Sequence, residues 1–203
     1  MAGIENIVFD MGQVLLRFDG MLFSRAFTSS EEDAHALNDA LFSNPSWALL
    51  DAGVISEDTM LAIARRRLPE RLWPSLEDAA ANWDLHQPAI DQTNDLARRL
   101  HQAGYSLYLL SNAGVRFDRA KGRIPVLPLL SGWVVSAYEH LMKPDPAIYA
   151  LLCQRYGLDP SSCLFVDDNQ DNVEGARKAG MSAYRFTTAT DLEVHLGDFG
   201  ISL

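Results

Sequence analysis

The sequence predicts an α/β fold: a doubly wound parallel sheet with a small α-helical cap inserted after its first strand. Three observations carry that expectation. Five short runs rich in apolar, β-branched or aromatic residues, at 7–9, 105–110, 132–136, 163–166 and 182–186, read as strands buried on both faces. From residue 88 onward these runs alternate with helical patterns, which implies a parallel sheet covered by helices on both sides. Between the first run and the second lies a long stretch with no strand signal at all.

Taken in order, the first strand, Ile7-Val8-Phe9, stops on an acid, Asp10, with Gly12 two residues later. Ligands of open α/β sheets bind beyond the carboxyl ends of the strands, so Asp10 stands where chemistry is done. A glycine beside it lets the backbone approach a ligand. The strand-free stretch then reads as helices. Residues 31–42 place Ala34, Leu37 and Leu41 at helical spacing behind a Ser29-Ser30 cap. A second helix starts at Ser56-Glu57-Asp58-Thr59, runs through Met60, Ile63 and Ala64 to Leu68, and is stopped by Pro69. A third covers 76–83. Trp47, Trp73 and Trp83 are expected to be packing anchors of this insert, with a place on a pocket wall as the alternative.

The alternation resumes with an amphipathic helix at 88–102, built on Ile90, Leu96 and Leu100 and closed by Ala103-Gly104. The strand 105–110 runs into Ser111-Asn112. The strand 132–136 leads to a loop holding Lys143-Pro144, and a helix at 146–156 is closed by Gly157. The strand 163–166 ends in Asp167-Asp168. A helix at 173–179 is closed by Gly180 and followed by the fifth strand. The expected division is an α/β core of residues 1–15 and 87–203, with a cap of residues 16–86. No internal repeat or low-complexity tract interrupts it.

Composition narrows the function classes. The chain has 203 residues, 48% hydrophobic and 22% charged, enough for a sizeable core. A formal charge of −10 argues against nucleic acid, whose phosphates need clustered Lys and Arg. The one basic run, Arg65-Arg66-Arg67, lies in a helical pattern and reads as a solvated face. No run approaches the ~18 apolar residues of a membrane span. The first strand begins almost at once, so no leader is expected. Cys153 and Cys163 sit in apolar surroundings and read as buried hydrophobes in a reducing compartment. The expectation is a cytoplasmic protein with no membrane or nucleic-acid partner.

The residues just after each strand form a set: Asp10, Ser111-Asn112, Lys143 and Asp167-Asp168. Each alone has a plain alternative, as a helix cap, a surface lysine or a turn former. Together they bring three carboxylates to one sheet edge, where like charges repel unless a cation holds them. Hard oxygen donors favour Mg²⁺ over zinc. A Mg²⁺ beside an ammonium and a hydroxyl suits a phosphoryl group, and an aspartate there can attack phosphorus to form an aspartyl-phosphate.

These motifs resemble the haloacid dehalogenase (HAD) superfamily of hydrolases, with all four of its motifs in order. The run from Phe9 through Asp10 to Leu15 is similar to the first, whose leading Asp is nucleophile and metal ligand. Leu110-Ser111-Asn112 is similar to the second, which hydrogen-bonds the phosphoryl group. Lys143-Pro144-Asp145 resembles the third, whose lysine steadies nucleophile and phosphate. Residues 165–172, with Glu174-Gly175-Ala176 and Ala179-Gly180, resemble the fourth. The resemblance covers nearly the whole chain. It implies a Rossmann-like HAD core with an α-helical cap, and a Mg²⁺-dependent phosphatase acting on a small phosphorylated metabolite. It places the metal on Asp10, Asp168 and the Gly12 carbonyl. Asp167 and Asn172 stand behind these ligands, and Ser111, Asn112 and Lys143 bind substrate. Within the superfamily the Asp-Asp-Asn-x-Asp-Asn-x-Glu-Gly-Ala run looks closest to the branch acting on α-D-glucose 1-phosphate, so a sugar phosphate is expected.

One position departs from the pattern. Family phosphatases usually carry an acid–base Asp two residues after the nucleophile, where this chain has Gly12. Losing such a group typically costs about 10²- to 10⁴-fold in rate. Either the leaving oxygen needs little protonation, or Asp19 or a water supplies the proton. A phosphometabolite-binding protein with little turnover is therefore one rival. A 2-haloacid dehalogenase is another, although it would not need the Asp167-Asp168 pair. An EF-hand reading of 167–178 fails, because Asn172 and Lys178 occupy the glycine and glutamate positions. His140, Arg17 and Asn44 are minor candidates for substrate contact.

Overall fold

The computed structural model describes residues 3–203. Strand β1 (Asn6–Phe9) is followed by five helices: α1 (Gly20–Phe27), α2 (Glu31–Ala40), α3 (Ser46–Asp51), α4 (Glu57–Arg65) and α5 (Trp73–Asn82). Then come α6 (Asp91–Gln102), β2 (Ser106–Ser111), α7 (Phe117–Ala120), β3 (Leu130–Val135), α8 (Ser136–Glu139) and α9 (Pro146–Tyr156). The chain finishes with β4 (Cys163–Asp167), α10 (Gln170–Lys178), β5 (Ser182–Arg185) and α11 (Ala189–His195). All pairings in the sheet are parallel, in the order β3-β2-β1-β4-β5. Asp10 therefore leaves the central strand, flanked by the ends of β2 and β4.

The sheet's alternation builds two cores. Ile7, Phe9, Leu107, Leu109, Leu164 and Val166 face one side, against Leu96, Leu100 and Leu192 of α6 and α11. Val8, Tyr108, Leu110 and Phe165 face the other, against Ile148 and Leu152 of α9 and Val173 of α10. Every residue of β1 is buried, as expected of a central parallel strand with helices on both faces.

The insert has its own core, in which Phe23, Leu37, Leu41, Met60, Leu76 and Trp83 are buried together. Its helices begin where side chains satisfy the first free amides. Asp19 accepts from the Leu22 amide, Ser30 from that of Asp33 and Ser56 from that of Thr59. The acids Glu31, Glu32 and Asp33 follow the α2 cap, and Glu57 and Asp58 follow that of α4, where they favour the helix dipole.

Several elements differ from their sequence-based bounds. Helices α1 and α3 lie where no helical pattern was read, because each is too short to show a repeated apolar spacing. The third cap helix starts at Trp73 rather than 76, with Pro74 in its first turn, where a missing N–H costs nothing. Residues 88–90 precede α6 in extended backbone, and Leu16 bridges to Ala89. The third strand ends at Val135, and Ser136 opens a short helix.

Three contacts hold the insert to the sheet edge. Arg116, just before α7, makes two parallel 2.7 Å bonds to the Glu57 carboxylate of α4 and a third, also 2.7 Å, to the Ala81 carbonyl. Arg119 donates to the same carbonyl at 2.9 Å. Ser136 accepts from the Ala113 amide at 2.9 Å and donates to the Asp51 carbonyl at the end of α3.

Candidate active site

The strand ends converge. Beyond β1, Asp10 accepts from its neighbour's amide, Met11, at 2.6 Å. The Lys143 ammonium lies between two carboxylates, 2.8 Å from Asp10 Oδ1 and 2.6 Å from Asp167 Oδ2, with its side chain only 1% exposed. Its backbone is held by Asn112, whose amide oxygen accepts from the Lys143 N–H and whose nitrogen donates to the Lys143 carbonyl, both at 2.9 Å. The end of β2 thus sets where the lysine loop sits.

Asp167 is fully buried, and its oxygens are already taken. Besides Lys143, it accepts from the Asn169 amide at 2.8 Å and from Asn172 at 3.1 Å on each oxygen. Asp168, one residue on, is half-buried and faces the cavity. One oxygen from each of Asp10, Asp167 and Asp168 fits within a 4.8 Å cluster. Hard carboxylate donors in this arrangement fit a divalent cation such as Mg²⁺. With Asp167 saturated by hydrogen bonds, Asp10 and Asp168 are the carboxylates free to ligate, and the residues fit the group.

The electrostatics follow from burial. Asp10 is pushed above the ordinary carboxylate range by burial and by the charge of Asp167, while Lys143 and the Met11 amide oppose the shift. Asp168 is raised mainly by burial and then by Asp167. Burial pulls the Lys143 ammonium down, but Asp10 and Asp167 more than offset this and its pKa ends above the usual lysine value. A cation at the cluster would restore the Asp10 carboxylate.

Above the cluster opens a cavity of about 330 Å³ between core and cap. Its floor includes Asp10, Gly12, Ser111, Asn112, Asp168 and Asn172. Its cap side is aromatic, with Phe18, Trp47 and Trp83, and Phe117 adds a ring from the core. The ring centroids of Phe18, Trp47 and Trp83 lie 5.6–5.7 Å apart. Trp47 and Trp83 therefore both pack the cap and wall the cavity, whereas Trp73 only packs, under Arg65. Nothing stands within 4 Å of where a Gly12 Cβ would be.

Some residues named from sequence lie elsewhere. Lys143 and Asp167 sit behind the floor rather than on the cavity surface. Asp19 caps α1 and faces Arg17, which is mostly exposed, and neither lines the cavity. Asn44 is buried but bonded locally, to the Ala40 carbonyl and the Ser46 amide. His140 ends α8 in a left-handed turn against Gly53, away from the floor. Conversely, three cavity residues had no sequence signal. Asp51 ends a six-residue helix, Gln87 follows a helical turn, and Arg116 lies in a loop. They meet only because the cap docks on the core.

Residues 4–180 match the haloacid dehalogenase-like hydrolase family, and the chain belongs to it. Among curated proteins it is 26% identical over 114 residues to a flavin mononucleotide hydrolase of Arabidopsis thaliana, covering 56% of this chain and 46% of that protein. It is 29% identical over 122 residues to a (S)-2-haloacid dehalogenase of Burkholderia cepacia, covering 60% and 49%. The chain thus spans about half the length of these relatives. A Bacteroides thetaiotaomicron HAD family enzyme, solved as a mutant with magnesium and inorganic phosphate, superposes with a TM-score of 0.72 at 22% identity, over 94% of this chain and 99% of that one. An L-2-haloacid dehalogenase of Xanthobacter autotrophicus does so at 0.66 and 19% identity, over 98% and 85%.

Proposed function

We propose that the protein is a Mg²⁺-dependent phosphatase that hydrolyses a small phosphate monoester through an aspartyl-phosphate on Asp10. The observation that supports this best is the placement of Asp10 beside the buried Lys143 ammonium and in one carboxylate cluster with Asp168. A carboxylate cannot approach a phosphate dianion unless nearby positive charge offsets the repulsion. Asp10, Asp168 and the Gly12 carbonyl would hold the magnesium, which supplies electrostatic stabilisation of charge on the transferring phosphoryl group. Asp10 attacks phosphorus, and Lys143 holds its carboxylate in place. Ser111 donates to a phosphoryl oxygen. Asp167 and Asn172 fix the lysine from behind, and Asn112 positions its backbone. Water then cleaves the acyl-phosphate bond and frees Asp10.

The cavity supports a neutral, hydroxylated leaving group, and a sugar phosphate fits that description. Its only guanidinium, Arg116, is tied to Glu57, so among the described residues no free cation awaits a second anionic group. Gln87 is fully buried in the wall, and neither end of its amide finds a partner. A hydroxyl could satisfy both its donor and its acceptor, while the aromatic wall would stack a ring face.

A panel of sugar phosphates, nucleotides and 2-haloacids, assayed with and without Mg²⁺, tests the reading. Phosphate release that needs both Mg²⁺ and Asp10 supports it. Halide release without Mg²⁺ would overturn it in favour of the dehalogenase.

A further inference from the structure

Breaking the ester bond sends an electron pair to the leaving oxygen. An alkyl or sugar oxygen needs a proton at that moment. Gly12 has no side chain to give one, so any side-chain donor must come from elsewhere in the cavity. Among the described residues, four titratable side chains line it: Asp10, Asp51, Arg116 and Asp168. Asp10 and Asp168 belong to the cation cluster. Arg116 is clamped by Glu57 and is too basic to release a proton. Asp51 remains.

Its position suits the task. The cluster acid Asp168 follows β4, on one side of the central strand, whereas Asp51 packs against the loop that follows β2, on the other. The Ser136 hydroxyl pins its backbone carbonyl to the Ala113 amide, two residues past Ser111. A Cβ built on Gly114 would stand 3.7 Å from Asp51 Oδ1, so the carboxyl lies against the loop that follows Asn112. Trp47, one turn earlier on α3, contributes to the aromatic wall that would surround the leaving group.

We propose that Asp51, carried by the cap, is the acid–base residue of this site; the inference rests on the phosphatase reading above. As Asp10 Oδ attacks and the bond from phosphorus to the leaving oxygen breaks, Asp51 gives its proton to that oxygen and becomes a carboxylate. Water then attacks the aspartyl-phosphate and passes a proton to Asp51. The electron pair of the broken bond returns to Asp10, and inorganic phosphate leaves. Each group ends as it began.

The carboxyl is also tuned for both steps. It is raised to about 7, chiefly because the half-buried carboxyl is shielded from water and secondly by the charge of Asp10, while the Gly114 amide and the Trp47 indole oppose the rise. A group poised there can donate and accept at neutral pH. The charged and titratable groups near Asp51 include Asp10, Arg116 with its partners Glu57 and Asp84, and His140 beside Gly53.

Leaving-group dependence tests the proposal. With Mg²⁺, wild type and Asp51→Asn are compared by rapid quench on para-nitrophenyl phosphate, whose phenolate leaves without a proton, and on a sugar phosphate. In the variant the sugar-phosphate first step should fall by about 10²- to 10⁴-fold and the nitrophenolate burst by less than about tenfold. Turnover after the burst should slow for both. An equal fall on both probes, or no fall, overturns the proposal. The wild type gives a check that needs no variant. The ratio of sugar to aryl first-step rates should decline as pH rises through about 7, since Asp10 acts on both probes alike and cancels; a flat ratio overturns it. If the wild type releases phosphate from neither probe, the phosphatase reading itself has failed.

Discussion

Lys143 shows most clearly how single side chains set the chemistry. Its ammonium is buried between two acids, so removing it leaves carboxylates without a counter-charge rather than merely losing a contact. Lys143→Met should lower phosphatase activity by about 10²- to 10³-fold. It should also destabilise the fold by about 3–5 kcal/mol, measured by urea titration. Asp10→Asn keeps the shape and removes the proposed nucleophile, and activity should fall at least about 10³-fold with the melting temperature little changed. Asp10, Lys143, Asp167 and Asp168 were legible in the sequence because each lies at or just past an apolar strand, or in the loop that follows one. Asp51 and Gln87 were not, because nothing in their local pattern records that a separate helical layer brings them over Asp10.

Among the secondary-structure elements, the contact between α10 and the Lys143 loop does the positioning. Gly175 lies in the middle of α10, where a Cβ would stand 2.5 Å from the Pro144 carbonyl oxygen and 3.0 Å from the Tyr149 hydroxyl. The helix can approach the loop this closely only without a side chain. Gly175→Ala should displace Lys143 and lower kcat by about 10²-fold, with the cap contacts intact. Kinetics alongside circular dichroism would check it. The sheet's strands were readable because a parallel core demands continuous apolar runs. Helix α3 was not, because six residues with no buried member carry no periodic signal.

Across the whole molecule, residues of the insert wall the cavity, and two of the acids that line it tie stability to pH. Arg116 bonds the Glu57 carboxylate twice and the Ala81 carbonyl once, so Arg116→Ala should loosen the cap and raise KM more than it lowers kcat. The acids Asp10 and Asp51 are both raised above their ordinary value of 3.8. A raised carboxyl stabilises the fold while protonated, and that contribution fades as pH climbs through its folded pKa. The metal-free protein should therefore melt at a lower temperature at pH 8 than at pH 5. Mg²⁺ should recover more of the loss at pH 8, because it binds the ionised acids. Asp51→Asn should melt higher than wild type at pH 8, a scan by differential calorimetry being sufficient. The two-layer arrangement of core and cap follows from the long stretch without strand signals, but the cavity between them exists only once both have folded.

Everything proposed for this site depends on phosphorus passing through Asp10. Acid-quenching the enzyme with a sugar phosphate and Mg²⁺, followed by peptide mass spectrometry, measures it directly. One added phosphoryl group is expected on the peptide containing Asp10, lost on incubation and absent from Asp10→Asn. Turnover with the phosphoryl group found on another residue, or on none under any quench, would contradict it.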